Sequence, residues 1–273
     1  MMPLVRSLSV KEPLSSRVLF PLTERRFTYA EYERFLDRLA SLDVVPLREF
    51  AAGLGDTALR HDVDDRLDSA LELARLEHAR GLRATYFVLH TAPYWERKDL
   101  VERLRELQAL GHEVGWHNDL VTLAVVHGRD PAEYLRHELA RLRDAGIDVV
   151  GIAAHGSPWC HRLGFHNDYA FSDLPQPIPG FPTRFEPIGR LADFGFEYDA
   201  YSLGEDAYFS DSRFDRGRRA HPADFPLGPG QRTIILTHPC HWDPSAAAKT
   251  QRLARLVARR LRGTPRSSST KPP

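Results

Sequence analysis

Cysteine is scarce in this chain, with only Cys160 and Cys240 among 273 residues. Two thiols make no disulfide framework, and their scarcity fits a reducing compartment. Long apolar runs are missing as well. No stretch of about twenty apolar residues is available to span a bilayer, and residues 1–24 hold no apolar core of signal-peptide length, so the expected address is the cytoplasm. Charge of one sign is also lacking, since 37 Lys and Arg face 37 Asp and Glu. No global field favours nucleic acid or a membrane surface. A phosphate-cradling glycine loop, a GxSxG elbow and an HExxH helix are all absent, so three common signatures of nucleotide, serine and zinc-protease chemistry drop out.

What the chain does have is rhythm. Thr28 with Glu31 three residues on predicts a capped helix over 28–41, followed by a helical turn at 46–52 that Gly53 ends. From Thr57 onward, strands at Thr57–Val63, 84–89, 113–116 and 148–153 are separated by helical patterns at 67–80, 99–110 and 130–146. The last of these opens on Asp130, Pro131 and Glu133 and stops at Gly146. A repeat of roughly thirty residues with strand and helix alternating predicts right-handed βαβ units and a parallel sheet. Residues 157–230 break the pattern. They are rich in Pro, Gly, Asp and Phe and read as long loops over one face, with a short strand near 197–201.

A buried strand returns at Thr233–Thr237 and an amphipathic helix at Ala246–Arg262. The expected organisation is an N-terminal extension and helix at 1–56, a barrel unit at 57–262 and a low-complexity tail at 263–273. Between Lys249 and Lys271 there are eight basic residues and no acidic one. An anionic ligand could use them, but the favoured reading is a solvated helix face and a soluble tail.

The chemistry collects where apolar strands end. LRHDVDD follows the first barrel strand, HND the third, AHGSP the fourth and THPCH the last. In βα-barrels these carboxyl ends form the active-site face. In an extended segment Asp62 and Asp64 point the same way, and two carboxylates so placed call for a cation beside them. Alone, an acidic turn is more often just a polar strand ending. His117 alone is more often a hydrogen-bonded core residue. Together on neighbouring strands they read as a metal site, with Asp119 two residues beyond. His155 sits before Gly156, and His238 follows a buried run and is held extended by Pro239. Each is equally open to being a satisfied buried histidine. A structural zinc site from Cys160-His161 and Cys240-His241 lacks the usual paired spacing, and neither cysteine opens a helix where a thiolate would be favoured.

These segments resemble the polysaccharide deacetylase superfamily, with NodB homology and similarity to carbohydrate esterase family four, over about 59–242. RHDVDD looks like the family's first motif, ATYFVL its second-strand run, GHEVGWH the approach to its histidine motif and LTHP its last motif. The wording looks closest to the WbmS-like, O-antigen-associated branch. The resemblance implies an α/β fold, a distorted (β/α) barrel of about seven strands with long loops over the strand C-terminal face. It implies Asp62 as catalytic base, Asp64 as metal ligand, His117 as metal ligand and His238 as general acid.

The chain departs from the pattern at two places. Val121 stands where a second histidine ligand is usual, and Ala154-His155 occupies the neighbourhood of the arginine that usually holds the base. The third metal ligand is therefore expected from His155 first and Asp119 second. Arg60 is expected to orient Asp62, and Asp199 to pair with His238. The implied activity is carbohydrate N-deacetylation with a divalent metal, zinc by first choice, on an amino sugar or glycan precursor made inside the cell. No nucleic acid and no membrane span are expected. A deformylase or ureide amidohydrolase, and a catalytically silent sugar-binding protein, are the alternatives.

Overall fold

The computed structural model describes residues 26–215 and 218–262. Expectations for the first 25 residues and for the tail beyond Arg262 fall outside that range. In chain order the helices are α1 (Tyr29–Leu39), α2 (Leu47–Ala51), α3 (Leu67–His78), α4 (Leu100–Ala109), α5 (Leu120–His127), α6 (Pro131–Asp144), α7 (Pro158–Leu163) and α8 (Ala246–Arg262). The strands are β1 (Val44–Val45), β2 (Thr57–Val63), β3 (Thr85–Leu89), β4 (Glu113–Asn118), β5 (Gly151–Ala154), β6 (Tyr198–Asp199), β7 (Ala207–Ser210), β8 (Phe214–Asp215), β9 (Arg218–Arg219) and β10 (Thr233–Thr237).

Seven parallel strands run in the order β6-β5-β4-β3-β2-β10-β7 and curl into a half-barrel, with β1 added beside the start of β2. β8 and β9 form a separate antiparallel pair. Strands β2, β3 and β10 are buried along their whole length, which is why TYFVL and TIILT read as unbroken apolar runs: both sheet faces are covered.

Local chemistry explains the helix ends. Thr28 accepts a hydrogen bond from the Glu31 amide at the start of α1. Asp130 accepts from the Ala132 and Glu133 amides at the start of α6. Both satisfy donors that a helix cannot satisfy itself. Four elements in particular differ from expectation. Helix α5, LVTLAVVH, is apolar nearly all round and so shows no helical face to find. β4 runs two residues past 116, through His117 and Asn118, and β5 starts at Gly151 rather than at 148. Strand β7 was not anticipated: three of its four positions are only half-buried, so neither alternation nor a full apolar run marks it.

Alternation along β2 sorts two layers. Arg60 and Asp62 face the barrel interior, whereas Leu59, His61 and Val63 face the helices. The interior is filled from below by Val45, Leu47, Phe50, Ala58, Phe87, Tyr198 and Ile234. Glycines make that fill possible. A Cβ on Gly115 would stand 2.5 Å from the Phe87 ring, and one on Gly151 would stand 2.2 Å from Tyr198.

The larger core lies between sheet and helices and encloses a carboxylate fully. Glu77 of α3 has no solvent exposure; it accepts from Tyr32 and Tyr86 and lies 2.8 Å from His61 Nε2. With the interior plugged at the amino end, the carboxyl ends of β2, β4, β5 and β10 open together on the other side.

Candidate active site and metal centre

The parallel register carries the functional side chains to that opening. Asp62 pairs with Phe87, Leu89 with His117, and His117 with Ala153, so Asp62, His117 and then His155 rise on one face. The result is a cavity of about 670 Å³ lined by Asp62, Asp64, His117, His155 and His238, with Trp159, Tyr201 and Tyr208 in its walls.

Three atoms converge as a ligand set. His117 Nε2 lies 3.4 Å and His155 Nε2 3.9 Å from Asp64 Oδ1, and the two imidazole rings meet edge to face at 5.1 Å. The outer partners fix how these rings face. His117 Nδ1 stands 2.9 Å from the Ala153 carbonyl, which can only accept, so the ring proton sits there and Nε2 presents a lone pair to Asp64. His155 Nδ1 lies 3.4 Å from Asp119 Oδ1. Carbonyl and carboxylate partners of this kind are what orient metal-binding histidines.

The residues fit a divalent cation. Asp64 Oδ1 is buried with no hydrogen bond, facing lone pairs rather than donors. Acceptors turned on one another are unfavourable until a cation stands between them. Two imidazoles and one carboxylate are a donor set for zinc and its first-row neighbours, leaving a position for water. Burial would raise the Asp64 carboxyl, but a proton on His117, and charge on His238 and His155 behind it, hold it well below the usual carboxylate range, and a cation in place of the His117 proton would act in the same direction.

Asp62 stands beside this set, its Oδ2 3.6 Å from His117 Nε2. Arg60 grips it from behind, with Nε to Oδ1 at 2.8 Å and Nη2 to Oδ2 at 2.9 Å. Arg60 itself is fully buried, stacks on Tyr201 and lies over Phe87. Burial pushes the Asp62 carboxyl up, and the Arg60 charge, followed by His117 and His238, brings it below its ordinary value. Asp62 is therefore a carboxylate at neutral pH.

His238 has the opposite character. Asp211 Oδ1 lies 2.5 Å from its Nδ1, and Asp211 Oδ2 accepts from the His238 amide and faces His241 Nδ1 at 2.8 Å. Burial pushes the His238 imidazole down, and the Asp211 charge and hydrogen bond outweigh it, leaving its pKa at about 9. Asp211, His238 and His241 could also be viewed as a second ligand set. Their contacts are hydrogen-bond contacts, and Asp211 is satisfied by them without an ion.

The structure thus brings Asp62, Asp64, His117, His155 and His238 to one mouth, with Arg60 on Asp62 and Asp119 behind His155. Asp119 also accepts from Thr91 and Asn167, and these contacts turn it away from the ligand position. Asp199 does not meet His238. It lies on β6, at the far edge of the sheet from β7 and β10, and accepts from the Tyr201 amide and the Ser202 hydroxyl. Burial and the neighbouring Asp168 push its carboxyl up to about 6.

Sequence reasoning gave no role to Asp211, which follows the unrecognised β7 and entered only as part of the Phe209-Ser210-Asp211-Ser212 wording, nor to His241, weighed there only with Cys240 as a zinc pair. Neither cysteine joins a ligand group among the described residues. Val121, at the usual second-histidine position, is buried in the core outside the barrel. His155 reaches the ligand set from the next strand instead.

No protein-family model matches this sequence, and no curated protein matches it. Among solved structures the chain is similar to a family 4 carbohydrate esterase from Streptomyces lividans in complex with acetate, at 17% identity over 76% of this chain and 90% of that one, TM-score 0.37. It is also similar to a family 4 carbohydrate esterase from Bacillus anthracis, at 16% identity over 84% and 86%, TM-score 0.34. A third is a mutant of a family 4 pseudoenzyme with restored enzymatic activity, at 15% identity over 74% and 62%, TM-score 0.35. At such identities and scores the activities of those proteins do not transfer to this one.

Proposed function

We propose that this protein is a metal-dependent hydrolase that removes an N-acetyl or other small N-acyl group from an amino sugar, in the making of a polysaccharide or glycoconjugate precursor. One observation carries the reading. Asp62, gripped by Arg60, and His238, hydrogen-bonded to Asp211, flank the ligand set of Asp64, His117 and His155 in a single cavity. Amide hydrolysis needs a base for water and an acid for the departing nitrogen, with their pKa values pushed apart.

A zinc-like ion held by Asp64, His117 and His155 would acidify water toward roughly pKa 7 and polarise the amide oxygen. Asp62 takes the proton from water as its oxygen bonds to the acyl carbon; Arg60 keeps both carboxylate oxygens placed for this. His238 then delivers its Nε2 proton to the nitrogen as the carbon–nitrogen bond breaks, releasing acetate and the free amine. General acid catalysis of this kind contributes roughly 10²–10⁴-fold. Asp211 holds Nδ1 and so aims Nε2 at the cavity.

A sugar substrate is supported by the cavity wall. Its size, about 670 Å³, suits one or two sugar rings, and Trp159, Tyr201 and Tyr208 provide flat faces beside the hydroxyls of Thr91, Ser157 and Ser212. The decisive experiment purifies the protein without chelator and measures metal content and acyl release from formyl, acetyl and ureido amino sugars. One equivalent of ion and acetate release, both lost in Asp64→Ala and His117→Ala, are expected. Full activity and full metal content in either variant would reject the assignment, and absence of any bound ion would favour a silent sugar-binding protein.

A further inference from the structure

The open mouth continues past the ligand set. A second cavity of about 470 Å³ adjoins the first, and the two share Asp65 and Arg252 in their walls. One side is the turn after β2, with Asp65 and Arg66. The other is the start of α8, with Asp243, Arg252 and Arg255. Arg252 and Arg255 are three residues apart and so lie on one face of the helix.

The charge in this groove is not balanced. Arg66 Nη1 lies 3.1 Å from Asp243 Oδ1, and Arg252 reaches the same carboxylate through Nε at 3.0 Å and Nη2 at 2.7 Å. Two guanidinium groups thus share one carboxylate. Arg255 is exposed and has no ion-pair partner among the described residues. Three cations face two carboxylates, Asp243 and the exposed Asp65. The bonds of Arg66 run through Nη1 to Asp243 and to the Cys240 and Trp242 carbonyls, so its remaining nitrogens carry no bond among the described residues. Fixed guanidinium groups with spare N–H donors beside a catalytic cavity are suited to phosphate oxygens. With a whole-protein net charge of zero there is no broad positive field for a polyanion such as nucleic acid, and the cationic excess is confined to a groove the size of one small anionic group.

We infer that this groove is a phosphoryl subsite, and that the amino sugar acted on is a glycosyl phosphate or its nucleoside diphosphate ester. The inference rests on the amino-sugar reading of the adjoining cavity. The sugar would fill the cavity over Asp62 and His238, Asp65 would stand at the junction, and the phosphoryl oxygens would lie against Arg66, Arg252 and Arg255.

Two measurements test it. Inorganic phosphate is titrated into metal-free protein by calorimetry, so that no bound ion can capture it. Binding that weakens about tenfold in Arg255→Gln, and further in Arg66→Gln/Arg255→Gln, is expected for lost charged hydrogen bonds. Separately, kcat/KM is compared for an N-acetyl amino sugar, its 1-phosphate and its nucleoside diphosphate ester. At least one phosphorylated form should exceed the plain sugar by about tenfold, and Arg255→Gln should close that gap. Equal kcat/KM for all three would overturn the inference while leaving the deacylase reading standing. Phosphate binding that depends on Arg255, with no acyl release from any sugar, would support the phosphoryl site and overturn the deacylase reading. Phosphate affinity indifferent to both substitutions sinks the subsite.

Discussion

Asp211 Oδ1 lies 2.5 Å from His238 Nδ1, and that contact favours the protonated imidazole that the acid role proposed for His238 requires. Burial works to strip the imidazole of its proton, and the Asp211 charge more than offsets it, so the pKa stands at about 9. Activity that needs protonated His238 is therefore full below that value and falls as pH rises through it. In Asp211→Asn the charge is gone and burial wins. The alkaline limb of the kcat/KM profile should move down by about one pH unit or more, equivalent to about 1.4 kcal/mol. A variant with an unmoved alkaline limb would remove Asp211 from this role.

Asp119 and His155 give a prediction about metal rather than about rate. Asp119 Oδ1 stands 3.4 Å from His155 Nδ1 and orients the ring. Asp119→Asn should weaken metal affinity by about 10–100-fold, the usual effect of losing such a partner. His155→Ala should weaken it further, because a ligand is lost outright. Competition against a fluorescent chelator reads both. If Asp119→Asn proves the more damaging of the two, Asp119 is the third ligand and His155 is not.

Arg60 and Asp62 form a buried pair with two parallel hydrogen bonds. In Arg60→Gln the carboxylate keeps its burial and loses its counter-charge, so the Asp62 carboxyl rises. The acid limb of the pH–rate profile should move upward, and the variant should lose about 3–5 kcal/mol of stability. The check is a pH series of kcat/KM beside urea unfolding. An acid limb at its wild-type position would show that another group serves as base.

Glu77 links folding to pH away from the mouth. Burial raises its carboxyl, and His61, followed by His112 and the Tyr32 hydroxyl, lowers it below the ordinary value. A depressed carboxyl contributes stability that is present above the unfolded-state pKa of about 4.3 and lost as pH falls through the lower folded value. Glu77→Gln should therefore be less stable than wild type at neutral pH, with the gap narrowing in acid below about pH 4. Urea midpoints across pH 3–8 give the answer, and a gap that widens in acid would contradict it.

Much of the barrel could be read in the sequence because its segments obey simple periods. Glycine stops after α3, α4 and α6, an Asp-Pro helix start, and apolar runs at β3 and β10 announce themselves within a few residues. The cluster at the mouth was legible for the same reason: Asp62 and Asp64 share a face by alternation, His117 stands near the end of a strand, and His155 and His238 each follow one. Asp211 was not legible. Its strand is short and half-buried, and its partnership with His238 spans 27 residues and is made only by the pairing of β7 with β10. Asp199, in the short strand expected near 197–201, was assigned that partnership instead. Nothing in a two-residue strand's own letters tells which sheet edge it will join.

The plug of Phe87 against Gly115 and Tyr198 against Gly151 has a kinetic consequence. A half-barrel stoppered at its floor is a cup, so in the proposed reaction water, substrate, acid product and amine would all pass through the mouth at its rim. Whichever product leaves first must clear the passage for the other, and a bulky amine lodged over His238 would trap the small acid beneath it. In the proposed reaction, traffic through the rim would then pace turnover.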